Sequence, residues 1–281
     1  MANIKLGLKL RKQLRPLFLL FLAIIFLLPT FFILYWLVTK AVETTAEINT
    51  YPPTLIPQTF TLEHIELVIK KQNIFRYAMN SIIISGSTTL IGIIAGMPAA
   101  YGLVHLGKQS SWGLWILITR MLPGLLALIG WYNLFSKLHL LNTYASIVLT
   151  HLIYAIPLII WIMIGYFEEQ DPDLEAAALV DGCTKFRAFI LVGVPLAGPG
   201  MTVSAILVFV YSWNDFIRGL IFAGPDKRPL TMAVYRAMSL ESLHWGEMMA
   251  AALFVIFPIA IITIFLQKYI IAGLTQGGIK G

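Results

Sequence analysis

The sequence predicts an all-α polytopic membrane protein with six transmembrane helices. Three observations carry that prediction. The chain is 58% hydrophobic and only 12% charged, where soluble domains carry about 25% charged residues. Its mean hydropathy is +0.81. Its apolar residues fall in long runs, and a helix rising about 1.5 Å per residue needs about 20 of them to cross about 30 Å of hydrocarbon. Such a mixture cannot cover a water-facing exterior, so a soluble enzyme is excluded. Disorder requires low hydrophobicity and high charge, and is excluded too. One cysteine, Cys183, forbids an internal disulfide and leaves the redox compartment unread.

The elements follow in order. Residues 1–15 hold Lys5, Lys9, Arg11, Lys12 and Arg15 with no acid, which places this tail in the cytoplasm by the positive-inside rule. Residues 16–38 form the first span. It is too long for the apolar region of a secretory signal, about 7–15 residues, and lacks a small-residue cleavage site, so it reads as uncleaved. Residues 39–76, with Glu43, Glu47, Pro52, Pro53, Pro57, Glu63 and Glu66, form an external segment. A five-helix core then occupies residues 77–271. Its spans are 77–104, 112–135 broken at Pro123-Gly124, 141–167 containing Pro157, 201–222 and 247–271. Six crossings return the tail, residues 272–281, to the cytoplasm, and the polar segment 168–199 is cytoplasmic as well. Lys70, Lys71, Arg76, Lys227, Arg228 and Arg236 fall on the outer side, so the orientation rests on the N-terminal tail.

The second span carries small residues at helical spacing: Ser81, Ser85, Thr88, Gly92, Gly96 and Ala100. In lipid, helices associate where small residues let backbones approach. Gly92 and Gly96 therefore mark either packing within one bundle, the favoured reading, or a seam with a second membrane subunit. Proline in the third and fourth spans frees carbonyls that neighbours or a water-lined cavity must satisfy.

The segment 171–199 reads DPDLEAAALVDGCTKFRAFILVGVPLAGP. Asp171 is an N-cap and Pro172 suits the first helical position. Asp173 and Glu175 complement the helix dipole, and Gly182 can close the helix in the left-handed region. A short helix over 172–181 follows from these local rules. Leu174, Ala177, Ala178 and Asp181 share one face. A second helix is expected from about Thr184 to Val192, ending before Gly193 and Pro195. Six acids against Lys185 and Arg187 make the loop acidic. A short capped helix in an acidic cytoplasmic loop has the character of a docking element for a soluble partner.

This segment resembles the EAA loop of ABC-importer permeases, a pattern of Glu-Ala-Ala, a glycine, then an aliphatic-x-Leu-Pro. The downstream matches are Asp181-Gly182, Val192-Gly193-Val194-Pro195 and Pro199. One departure stands: aligned on Asp181-Gly182, the usual pair of glutamates becomes Glu175-Ala176, with the glutamate displaced by one position. Tyr77-Ala-Met-Asn80-Ser81 resembles the start of the permease core. Met121-Leu-Pro123-Gly124, Leu141-Asn142-Thr143-Tyr144, Trp213-Asn214-Asp215-Phe216 and the tail from Gly273-Leu274-Thr275 to Lys280-Gly281 are similar to MalG-like subunits of carbohydrate importers.

The resemblance implies a MetI-like ABC permease core with a cytoplasmic coupling helix, in a bacterial or archaeal inner membrane. It implies transport of a carbohydrate, polyol or sugar derivative by alternating access. It implies as partners a MalF-like second permease, an ATPase homodimer or heterodimer that binds the ATP and Mg, an extracytoplasmic solute-binding protein and membrane lipid. ATPase coupling would fall to Leu174, Glu175, Ala177, Ala178, Asp181 and Gly182. Asn80, Gly92, Gly96, Trp213, Asn214 and Asp215 are candidates for a substrate pathway or for helix packing.

No catalytic residue, bound cofactor or metal site is expected in this chain. Gly273 and Gly278 have the spacing of a phosphate loop, but Ile279 stands where Lys is required. His64, His105, His139, His151 and His244 form no ligand motif and read as polar or interfacial residues. No nucleic-acid partner is expected, because no basic stripe alternates with aromatics. Charges at membrane depth default to functional candidates. Arg120 is expected to snorkel to an interface, Asp215 and Arg218 to pair on one helix face, and Trp213 to join an interfacial belt. The alternatives are a permease of a non-carbohydrate ABC importer and a self-sufficient secondary transporter. The latter needs an inverted repeat and buried coupling ions, and neither is evident.

Overall fold

The computed structural model describes residues 2–121, 124–238 and 244–276, and these are helical apart from loops and one isolated β-bridge, Glu43–Phe60. The side chain of Arg120, the residues Leu122 and Pro123, and the tail 277–281 lie outside the described residues, so the expectations placed on them stand as expectations. The described residues group into two compact units. One holds the residues up to Lys71 with Ala237–Leu253; the other holds Gln72–Arg236 with those from Phe254 onward.

In the first unit, α1 runs over Ala2–Ala41. The helix thus begins fourteen positions before the expected start at residue 16, because the Lys- and Leu-rich tail has no proline before Pro16 and its one glycine, Gly7, is outweighed by good helix formers. Its Pro16–Ala41 part is long and apolar enough to span a membrane, and side chains such as Phe26 and Phe31 are exposed. The segment 39–76 holds α2 (Thr45–Ile48) and α3 (Glu63–Gln72). It is tied to the end of α1 by a buried ion pair of Lys40 with Glu43. Lys40 Nζ also donates to the Thr54 carbonyl at 2.8 Å, and the Glu43 carboxylate accepts from the Thr54 hydroxyl. A Cβ at Gly246 would lie 2.3 Å from the His64 ring, so the glycine makes room for that buried histidine.

The second unit begins with α4 (Ile74–His105) and continues through α5 (Gln109–Met121), α6 (Gly124–Lys137) and α7 (Tyr144–Glu168). The segment 168–199 holds α8 (Pro172–Val180), α9 (Lys185–Ala188) and α10 (Val194–Leu196). α11 (Gly198–Trp213), α12 (Ile217–Phe222) and α13 (Thr231–Arg236) follow, and α14 (Trp245–Gln276) closes the chain. α4 lies along α7, and α11 packs on both. Met97, Ala100, Ala155, Ile159, Met163 and Phe189 form the centre of that packing.

Part of the small-residue stripe of α4 lies on this seam. Gly92 and Gly96 are buried against α7; a Cβ would stand 2.8 Å from Ile159 Cδ1 at Gly92 and 2.7 Å from Ile159 Cγ2 at Gly96. Ser81, further along the stripe, instead accepts from Leu230 N at 2.7 Å.

Four helices among the described residues are long and apolar enough to cross a membrane: Pro16–Ala41, Ile74–His105, Tyr144–Glu168 and Trp245–Phe265. A fifth arises if Lys185–Leu196 and Gly198–Trp213, bent by 75°, count as one. The expected third span is described as α5 and α6, on either side of residues 122–123, and the proline of the break expected at Pro123-Gly124 lies outside the described residues. The expected fifth span, 201–222, is not one continuous helix. It breaks at Asn214–Phe216, where the Asp215 carboxylate accepts from Arg218 N at 2.8 Å and the Asp215 carbonyl accepts from the Thr231 hydroxyl at 3.0 Å. Side chain and backbone of Asp215 are both committed away from a continuing helix.

Candidate functional site

α8 is built as its sequence dictates. Asp171 caps it by accepting from Asp173 N at 3.0 Å, and Pro172 opens the first turn. At the far end Gly182 has φ +86°, Gly182 N donates to Leu179 O at 3.1 Å, and Cys183 N donates to Ala178 O at 3.0 Å. That pair of bonds is the Schellman closure, and its left-handed residue favours glycine because a Cβ there meets the carbonyl. Thr184 then caps α9, accepting from Arg187 N at 3.3 Å.

The expected second loop helix does not stop before Gly193. After α9 the chain passes through a π-helical turn, Phe189–Gly193, and into α10, which contains Pro195. Widening to i→i−5 bonding lets the path continue: Val194 N bonds Phe189 O. Pro195, with no N–H to give, sits in the first turn of the next segment, where the missing donor costs least.

The face shared by Leu174, Ala177, Ala178 and Asp181 is open: Leu174, Ala177 and Asp181 are exposed and Ala178 is half-buried. Two more exposed apolar residues of the loop were missed by the sequence reading. Val180, three positions after Ala177 in α8, is 88% exposed and Phe186 in α9 is 71% exposed, so large apolar side chains stand uncovered in an otherwise acidic loop. The signal was present, since two large apolar residues flank Asp181-Gly182 in a polar segment.

Glu175 faces the opposite way. It accepts from the Tyr101 hydroxyl and lies 2.6 Å from His105 Nε2, both on the last turns of α4. His105 Nδ1 is 2.9 Å from the Tyr101 carbonyl, so both ring nitrogens face acceptors. The Tyr101 ring packs on Phe167 and Phe189, at centroid distances of 5.5 Å and 4.8 Å. Gln170 Nε2 adds a bond to the Gly193 carbonyl at 3.0 Å. One side of α8 is thus fastened to α4 and to the π-turn, and the other is free.

The remaining candidates separate into different roles. Asn80 is buried and donates to the carbonyls of Asp226 and Arg228 at 3.0 Å and 2.8 Å, while accepting from the Tyr144 hydroxyl at 2.6 Å. It pins the loop between α12 and α13. Trp213 is 1% exposed, and its indole N–H donates to the Val255 carbonyl at 3.1 Å. The expected interfacial belt position is therefore corrected: a partner for the indole N–H allows full burial. Asn214 is exposed and bonds back to Val210 O at 2.9 Å. Asp215 pairs with Arg218 as expected, though across a helix break rather than along one helix face. His151 joins that cluster, with Nδ1 3.3 Å from Ser212 Oγ and Nε2 3.7 Å from Asp215.

Comparison with known proteins accords with this arrangement. Residues 88–276 match the family described as binding-protein-dependent transport system inner membrane component. The chain is 34% identical to the trehalose transport system permease protein SugB of Mycobacterium tuberculosis, over 81% of this chain and 85% of that protein. It is 30% identical to the trehalose/maltose transport system permease protein MalG of Thermococcus litoralis, over 73% and 75%. It is 29% identical to the sulfoquinovosyl glycerol transport system permease protein SmoH of Agrobacterium fabrum, over 88% and 87%. Among solved structures, a chain of a bacterial ABC transporter that imports the acidic polysaccharide alginate superimposes with a TM-score of 0.74. It shares 19% identity and covers 93% of this chain and 96% of that one.

Proposed function

The chain belongs to the inner-membrane components of binding-protein-dependent transport systems, and from that premise we propose that it is one permease subunit of an ATP-driven carbohydrate importer. The sugar class is supported by the trehalose, maltose and sulfoquinovosyl glycerol systems among its relatives. ATP and Mg are bound by a separate ATPase pair, and a second, MalF-like permease completes the membrane part. An extracytoplasmic binding protein delivers the substrate. α1, α4, the α5–α6 pair, α7, the bent α9–α12 path and α14 make six crossings, with both termini in the cytoplasm.

α8 is the coupling helix of this reading. The observation that carries it is its two-sidedness: an uncovered patch of Leu174, Ala177, Val180 and Phe186, and a reverse side fixed to α4 through Glu175. Closure of the ATPase pair moves the docked patch. The Glu175–His105 contact passes that displacement to α4, and the π-turn passes it to α11. Docking energy must differ between the two states, or nothing switches. Glu175 is a positioning residue here, and its inward orientation fits the one-position displacement of the glutamate in the loop pattern.

The test is isolation of the chain from its native membrane in mild detergent. Recovery of an ATPase and a second permease in fixed ratio supports the reading. Recovery of the chain alone, with uptake intact in vesicles, overturns it.

A further inference from the structure

A cavity of about 260 Å³ lies among α6, α7, α11 and the start of α12. Its aromatic lining is Trp131, Tyr154 and Tyr211, and its polar lining includes Thr150 and Arg218. Tyr154 and Tyr211 stack with ring centroids 4.0 Å apart and planes inclined by 22°. Arg218 lies over the Tyr211 ring, 5.5 Å from its centroid, and is held there by Asp215.

That site is unfinished. Arg218 Nε is buried and has no hydrogen-bond partner among the described residues. A buried donor left unmade is costly, and this one belongs to a group that lines a cavity. Thr150 donates its proton to Ile147 O at 2.7 Å, which leaves the hydroxyl oxygen able to accept. Asp215 already neutralises the guanidinium, so the cavity has no need of an anion. What it offers is flat π-faces beside one pendent donor and an accepting hydroxyl. The complement is a ring that is apolar on its C–H faces and hydroxylated at its edge. The volume falls below the roughly 300–1,000 Å³ of ordinary ligand pockets, enough for one ring and not for an oligosaccharide.

We propose that this cavity is a sugar-ring subsite carried by this subunit itself, taking one neutral hydroxylated ring during passage. Tyr154 and Trp131 supply its faces, Tyr211 backs Tyr154 and Arg218, and Arg218 and Thr150 supply its polar contacts. The proposal rests on the carbohydrate reading above and adds where in this chain the substrate is held.

The test uses the complete importer in lipid nanodiscs and proteoliposomes, with Cys183→Ser as the background and Ala127→Cys, on the cavity wall, as the reporter. Uptake of labelled trehalose, maltose and chitobiose is measured first in the background. Alkylation of the reporter by N-ethylmaleimide is then followed with the same sugars, and with betaine as osmotic control. A sugar that is transported should slow alkylation by 1 + [L]/Kd, about tenfold at ten times Kd, and betaine should not. Tyr154→Leu should raise the half-saturation concentration for uptake about tenfold, with Tyr154→Phe restoring it. Transport with unprotected alkylation and an unmoved half-saturation in Tyr154→Leu overturns the subsite alone. Transport of none of the three sugars overturns the carbohydrate reading, and the subsite with it.

Discussion

The α4–α7 seam and the α8 loop use the same kind of residue for opposite ends. In the seam, Gly92 and Gly96 let α4 close onto Ile159 until no Cβ fits. In the loop, Ala177 and Ala178 keep a surface low, but nothing among the described residues closes onto it, and Leu174, Val180 and Phe186 are left uncovered in the same loop. The seam is finished within one chain. The loop is finished only on its Glu175 side. Small side chains therefore indicate close approach and do not say what approaches. The discriminating feature is whether the large residues around them are buried.

That contrast can be broken at either end. The largest effect is expected for Gly96→Leu, where even a Cβ stands 2.7 Å from Ile159 Cγ2 and 3.0 Å from its branched Cβ. Overpacking of this kind costs about 3 kcal/mol or more, and size-exclusion profiles and thermal scans in detergent should show loss of the folded subunit. Gly182→Asp comes next. It places a side chain at φ +86°, for about 1–2 kcal/mol of local strain, and distorts the exposed face rather than the seam. Uptake should fall more than tenfold while membrane content stays near normal; equal losses of both would make the loop a folding element instead.

Glu175→Gln sharpens the comparison from the fastened side. It weakens a charge-assisted contact with His105 worth about 1.5–3 kcal/mol, so uptake should fall severalfold with ATPase subunits still bound. His105→Ala should act on the same contact, and the double variant should be no worse than the more affected single one. Additive losses in a double-mutant cycle would separate the two residues. The smallest effect is expected for Gly92→Ala. Its close neighbour is the terminal Cδ1 of Ile159, 2.8 Å away, which can swing aside. A cost under about 1 kcal/mol and a shift of only a few degrees in melting are expected, clearly less than for Gly96→Ala.

Local grammar made α8 readable in advance. Asp171, Pro172 and Gly182 act within four residues of themselves, so their roles survive in the bare sequence. Four of the expected spans were readable for a similar reason, since a run of apolar residues reports its own length. Features with distant partners were not. Trp213 is buried because a carbonyl 42 residues away accepts its N–H. Asn80 is a staple because its acceptors lie 146 and 148 residues on. The break at Asn214–Phe216 has neither Pro nor Gly to announce it; Arg218 and Thr231 make it by claiming Asp215. Glu175 turned inward because Tyr101 and His105 wait 74 and 70 residues upstream.

The 75° angle between Lys185–Leu196 and Gly198–Trp213 has a mechanical consequence. A straight rod pushed at one end slides along its axis. A bent one behaves as a bell crank, in which a tug on the short arm swings the long arm about the elbow. Here the short arm ends beside α8 and the long arm ends at Trp213, 16 residues and about 24 Å away at 1.5 Å per residue. The short arm, 12 residues from Lys185 to Leu196, is the lesser lever, so a small stroke beside α8 becomes a larger arc at the far end, beside the Asp215–Arg218 pair.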